Sequence, residues 1–203
     1  MPTLKIGSMN VLGLSNGEKR VDVFSWLKDK NFSIFCLQDV RVGAKYESSF
    51  IQDWGDEVLL SSFSLDSRGV AVLFSHRLDY KVQNITHDEV GNLLIIDLEV
   101  YGLSFVLVVL YGPNRDQPDF YSTLKQELTE KENKPIIICG DWNLVLDFKI
   151  DTHNYVSENN KNSRKVVKEI MDVLDLVDTW RCLNPLSKNT HGLVVQGLQK
   201  CQG

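Results

Sequence analysis

The sequence predicts an α+β protein in which two β-sheets pack face to face with helices on the outside. Three observations carry this prediction. Strand-like apolar runs outnumber helical patterns, helices alternate with strands near both ends, and hairpin-spaced strands fill the middle. The 203 residues suit one domain, and a content of 43% hydrophobic and 24% charged residues marks a folded chain and excludes disorder throughout.

The elements follow in order. Residues 3–9 form a first strand that ends at Asn10, and Gly13, Asn16 and Gly17 punctuate the loop after it. Val21, Phe24, Trp26 and Leu27 recur at helical spacing and place an amphipathic helix over 19–30. Residues 33–37 are a buried strand that delivers Gln38 and Asp39 at its end. Strands at 57–61 and 69–75 are joined by a turn at Asp66, Ser67, Arg68 and Gly69. Residues 80–86, 93–100 and 103–110 read as an antiparallel meander, with Tyr101-Gly102 as the last tight connection. Phe120, Tyr121, Leu124 and Leu128 place a helix over 118–133, with Asp116 as its candidate cap, and an apolar strand follows at 135–139. After Asp141 an Asn-rich loop spans 147–163. A helix at 164–174 then presents Val167, Ile170, Met171 and Leu174 on one face, and from Leu183 onward the chain reads as loop.

A net charge of −5 leaves no polycationic surface with which to grip nucleic acid by charge alone, so a phosphate partner calls for a bound metal. The longest apolar stretch, 103–111, falls short of the roughly 20 residues that span a bilayer, so no membrane segment is expected. The first ten residues have no secretory pattern, which points to an intracellular protein. Cys36, Cys139, Cys182 and Cys201 form no Cys-x-x-Cys pair and read as four reduced thiols.

Chemistry concentrates at strand ends. Asn10, Gln38-Asp39, Tyr111-Gly-Pro-Asn114 and Gly140-Asp-Trp-Asn143 each follow an apolar run. Asp141 and Asn143 are two positions apart and point to one side of an extended chain, while Trp142 points to the other. Gly140 lets backbone or substrate come close. Taken singly, Asp and Asn at strand ends are ordinary turn and cap residues; their order is what distinguishes this set.

That order is Ser8-x-Asn10, Leu37-Gln-Asp39, Leu110-Tyr-Gly-Pro-Asn114, Gly140-Asp-Trp-Asn143 and Asp178-Thr-Trp-Arg181. It resembles the endonuclease/exonuclease/phosphatase family, and within it the endonuclease domains of LINE-type, non-LTR retrotransposons. The resemblance covers residues 3 to about 191 and includes the strand Gly69-Val-Ala-Val-Leu-Phe74. It implies a four-layer sandwich of two packed mixed sheets flanked by helices, and Mg²⁺-dependent hydrolysis of a DNA phosphodiester, with Mn²⁺ as a substitute ion. By resemblance, Asp39 is the principal metal ligand with help from Asn10. Asp141 orients or deprotonates the attacking water, Asn143 holds the phosphate, and Tyr111 and Asn114 contact it nearby. Thr190 faces the DNA, and Asp178 and Trp180 are structural. Localisation would be nuclear for a working retrotransposon endonuclease, and no protein partner is implied.

The sequence also departs from the family pattern. Asp39 stands where Glu is usual and is one methylene shorter. His191 stands where an aromatic residue usually follows the threonine, and Thr152 where Arg often follows Asp151. Nothing after Thr190 matches the terminal motifs that bear the acid–base His-Asp pair. These departures divide the chain into a domain over 1–191, incomplete at its C-terminus, and an unrelated or disordered tail over 192–203. They lead to an expectation of impaired activity and weak DNA binding. Two other readings stay open: a catalytically inactive mobile-element remnant that acts as a binding fold, and a phosphatase of a sugar or lipid phosphate.

Overall fold

The computed structural model describes residues 3–148, 150–151 and 159–185. The first sheet holds β1 (Ile6–Asn10), β2 (Ile34–Gln38), β3 (Val58–Ser61) and β4 (Val70–Phe74) in the order β1-β2-β4-β3. β1 and β2 run parallel, and β4 is antiparallel to both its neighbours. The second holds β5 (Tyr80–His87), β6 (Leu93–Val100), β7 (Leu103–Tyr111) and β8 (Ile136–Asp141) in sequential order. β5, β6 and β7 form the expected meander, and β7 pairs with β8 in parallel. Both sheets are therefore mixed. The helices are α1 (Gly17–Asp29), α2 (Glu47–Trp54), α3 (Pro118–Thr129), α4 (Lys161–Val173) and α5 (Thr179–Leu183).

Three apolar layers hold the sandwich. Ile34, Cys36 and Val72 of the first sheet meet Ile96, Leu107 and Val109 of the second. The other face of the first sheet, with Phe35, Leu37 and Leu73, lies under Phe24, Leu27, Phe50 and Trp54 of α1 and α2. The outer face of the second, with Ile95, Val106 and Val108, lies under Leu124 and Leu128 of α3 and Val167 and Ile170 of α4. Strands covered on both faces lose polar alternation, which is why β2, β4 and most of β7 read as unbroken apolar runs.

Besides the short α5, which also lies where no element was predicted, two features differ from the expectation. α2 occupies a stretch with no predicted element, carrying Phe50 and Trp54 four residues apart and closing on Gly55 in the left-handed region, φ 82°. Asp116 does not cap α3, whose N-cap Gln117 makes no side-chain bond. It reaches α4 instead: Oδ1 accepts from Ser163 N and Oγ, both at 2.7 Å, and Oδ2 accepts from Asn162 N and Nδ2. Residues 149 and 152–158 of the loop over 147–163, and the whole tail over 192–203, lie outside the described residues.

Candidate active site

β1 of one sheet packs beside β8 of the other, and the functional strand ends converge there. Asn10 closes β1 and Asp141 closes β8. Asn10 Nδ2 donates to Asp141 Oδ2 at 3.0 Å, and Asn143 N donates to Asp141 Oδ1 at 3.0 Å, so each carboxylate oxygen has its own donor. Asn143 is left-handed, φ 51°, and its Nδ2 donates to Gly112 O at 2.6 Å. Trp142 turns inward, fully buried and stacked on Tyr121 at 6.1 Å between ring centroids. Trp142 thus turns to the core, while Asp141, the last residue of β8, is joined to Asn143 in the left-handed turn beyond it.

Gly140 makes this junction possible. A Cβ there would stand 2.1 Å from Leu110 O, so only glycine lets β7 and β8 run this close. The register then puts Tyr111 beside Asp141 as cross-strand partners. Burial raises the Tyr111 phenol above its ordinary pKa, the Asp39 carboxylate adds to the rise, the Asn114 and Asn143 amides oppose it, and Asp141 adds a smaller upward push. Asp39, Tyr111 and Asn114 line one cleft, and strand pairing and a hydrogen bond bring Asp141 and Asn143 beside it.

Asp39 has a partner that the sequence reading omitted. Its side chain is buried, and Arg41 embraces it, with Nε to Oδ1 at 3.0 Å and Nη2 to Oδ2 at 2.6 Å. Arg68 N adds a third donor at 3.2 Å. The bond to Asp39 holds the Arg41 guanidinium still more firmly protonated than usual. The signal was present as opposite charges two residues apart at a strand end. Asp39, Arg41, Tyr111 and Asn114, with Arg68 and Arg115, line a cleft of about 460 Å³.

The resemblance read from the sequence implies a divalent metal ion, and the residues present can be tested for that fit. Both Asp39 oxygens are engaged by a guanidinium, and Asn10 directs its Oδ1 to Leu12 N at 3.1 Å and its Nδ2 to Asp141. Among the described residues no three His, Cys, Asp or Glu side chains come together as a cation cage. As arranged, the set does not fit a metal ion. Thr190 lies outside the described residues. Asp178 does structural work: it caps α5 by accepting from Arg181 N at 2.9 Å.

Residues 7–153 match the model of the Endonuclease/Exonuclease/phosphatase family. The chain belongs to this family. Its members are hydrolases, nucleases and phosphatases among them. The chain is 28% identical over 185 residues to the Transposon TX1 uncharacterized 149 kDa protein of Xenopus laevis, spanning 90% of this chain and 14% of that one. An AP endonuclease from Archaeoglobus fulgidus superposes with TM-score 0.72 at 18% identity, over 96% of this chain and 86% of its own. The endonuclease domain of the telomere-specific non-LTR retrotransposon TRAS1 superposes with TM-score 0.59 at 14% identity, over 87% and 74%. These likenesses support both the four-layer fold and the resemblance to LINE-type endonucleases. Among the described residues no helix is long and apolar enough to cross a membrane.

Proposed function

We propose that this chain is a DNA phosphodiester hydrolase of the retrotransposon-endonuclease kind, working slowly. The observation that carries the reading is the Asp141 carboxylate, fixed between Asn10 of one sheet and Asn143 in the turn just beyond β8 of the other, beside Tyr111. A carboxylate held at both oxygens is positioned as a general base. In the proposed step a water attacks phosphorus and gives its proton to Asp141, the bond to the leaving oxygen breaks, and that oxygen takes a proton from solvent. Tyr111, kept protonated by burial, donates toward the phosphate together with the Asn114 and Asn143 amides. The likeness to the TX1 protein and to the TRAS1 domain supports DNA as substrate over a sugar or lipid phosphate.

The slowness follows from the leaving group. Neither described histidine in a strand or turn, His76 or His87, lines the cleft, so no described imidazole serves as general acid there. A second reading, a DNA-binding fold without cleavage, is favoured by the occupied Asp39 carboxylate.

Nicking of supercoiled plasmid decides between them. Asp141→Asn keeps the size and removes the base, and is expected to cut the rate by about 10²–10⁴-fold. Nicking that is equal in the variant would overturn the hydrolase reading, and DNA binding with no nicking in the parent would establish the second.

A further inference from the structure

We propose that Arg41 is the resident counter-cation of Asp39, occupying that carboxylate in place of a divalent ion, and that the cleft takes a nucleic-acid phosphate on guanidinium donors without metal. The phosphate half of this inference rests on the function proposed above; the half concerning the carboxylate does not.

The pairing is built by the backbone. Asp39 and Arg41 are both left-handed, φ 56° and 50°, a conformation that non-glycine residues hold only where the surroundings enforce it. The enforcement is visible on either side. Gly13 N donates to Asp39 O at 2.7 Å, Val40 N to Gly69 O at 3.0 Å and Arg41 N to Arg68 O at 2.7 Å. Asp suits this position better than Glu, because short polar side chains tolerate the left-handed region. The missing methylene thus goes with a local pairing to Arg41 two residues on. A two-pronged guanidinium–carboxylate contact is the strongest ion-pair geometry available to these side chains.

A carboxylate 2% exposed must have a compensating charge. The guanidinium supplies it permanently, so a metal ion binds Asp39 only by expelling Arg41 and stranding its charge. The guanidinium meanwhile keeps spare capacity. Two of its five N–H donors engage Asp39, and its side chain is 37% exposed at the cleft. Arg68 and Arg115 line the same cleft, giving three arginines against Asp39 and Asp66 in a chain whose net charge is −5. A phosphate meets local positive charge here that composition alone does not suggest.

The test titrates Mn²⁺ alone into the full chain and counts free ion by electron paramagnetic resonance. Arg41→Gln should bind Mn²⁺ tighter than the parent by about tenfold or more, since a charged hydrogen-bonded competitor is gone. Arg41→Lys keeps the charge without the fork and should fall between them; it carries the test where the Gln variant melts early. Adding Asp39→Asn to Arg41→Gln should erase the gain. Equal Mn²⁺ affinity in the parent, Lys and Gln chains, or parental binding that Asp39→Asn alone abolishes at full strength, would overturn the inference. A second arm follows a fluorescent DNA duplex by anisotropy in chelator: parent binding should persist without divalent ion and weaken severalfold in Arg41→Gln. Binding that appears only with Mg²⁺ would overturn the phosphate half. No DNA binding under either condition would remove the proposed function as well, leaving the Mn²⁺ result to stand or fall by itself.

Discussion

Gly112 lies just beyond β7, where the backbone passes so close to Trp142 that a Cβ would stand 2.3 Å from its carbonyl oxygen and 2.5 Å from Tyr121 Oη. Gly112→Ala should therefore force the Trp142 backbone away and loosen the 2.6 Å bond from Asn143 Nδ2 to Gly112 O. Overpacking of this kind costs about 1–3 kcal/mol. Melting should fall accordingly, and DNA affinity with it. Gly43→Ala is the control, because there too the backbone is outside the left-handed region, φ −82°, while an added Cβ makes only ordinary contact with Leu65 at 3.6 Å. A Gly112→Ala chain no less stable than the control would refute the close approach. At this scale the sequence was informative where chemistry and period coincide: Trp142 turns inward after Asp141, although Asn143 follows in a left-handed turn rather than in the extended chain that the spacing suggested. Asp39 was legible as a strand-end carboxylate but not as half of an ion pair. Spacing shows that Arg41 is near; only the two left-handed residues turn it onto the carboxylate.

Helix α4 has its N-terminus secured from outside its own sequence, since Asp116 accepts from the backbone N–H groups of Asn162 and Ser163. Hydrogen bonding from the Ser163 hydroxyl and then its N–H holds the Asp116 carboxyl below its usual range. The sign follows from linkage. A carboxylate lowered in the folded state stabilises it above the ordinary value of about 3.9, and this contribution is lost as pH falls through the lowered folded value. Asp116→Ala should lower the melting temperature at pH 7, and the gap to the parent should close in strong acid. A gap of constant size across the titration would mean that Asp116 acts by packing alone. Local reading assigned Asp116 to α3 because sequence proximity is the only cue available before the fold brings position 116 to positions 162 and 163. α2 escaped for a related reason. Eight residues with two buried aromatics give too short a period to stand out, and the helix depends on T-shaped contacts of Phe50 and Trp54 with Phe24 of α1, at 5.1 and 5.3 Å.

Across the whole molecule the two sheets are joined by an apolar layer, and Cys36 of β2 and Cys139 of β8 lie inside it. The layered architecture was readable because strands buried on both faces betray themselves as apolar runs; beyond the β5–β6–β7 meander, which strand neighbours which was not, since pairing order is a long-range property. The cysteines give this layer a chemical probe. Burial, and after it the neighbouring Cys139, raises the Cys36 thiol well above its ordinary pKa, so the reactive thiolate is suppressed while reagent is kept out by packing. Cys182 is exposed, and Cys201 lies outside the described residues. With both of these changed to Ser, the folded chain should leave Cys36 and Cys139 unlabelled by a thiol reagent, and unfolding should release both together. Leu107→Ala, in the same layer, removes buried volume at a cost of about 2–5 kcal/mol, a large part of the 5–15 kcal/mol that typically holds a domain. If the sheets separate only in global unfolding, that substitution should speed labelling of both cysteines by the same factor, the one into which the loss in unfolding free energy measured independently in urea converts, about tenfold for each 1.4 kcal/mol. Labelling of one cysteine ahead of the other, or a rate unmoved by Leu107→Ala, would show that the sheets part locally and that the layer between them is not the element on which cooperativity depends.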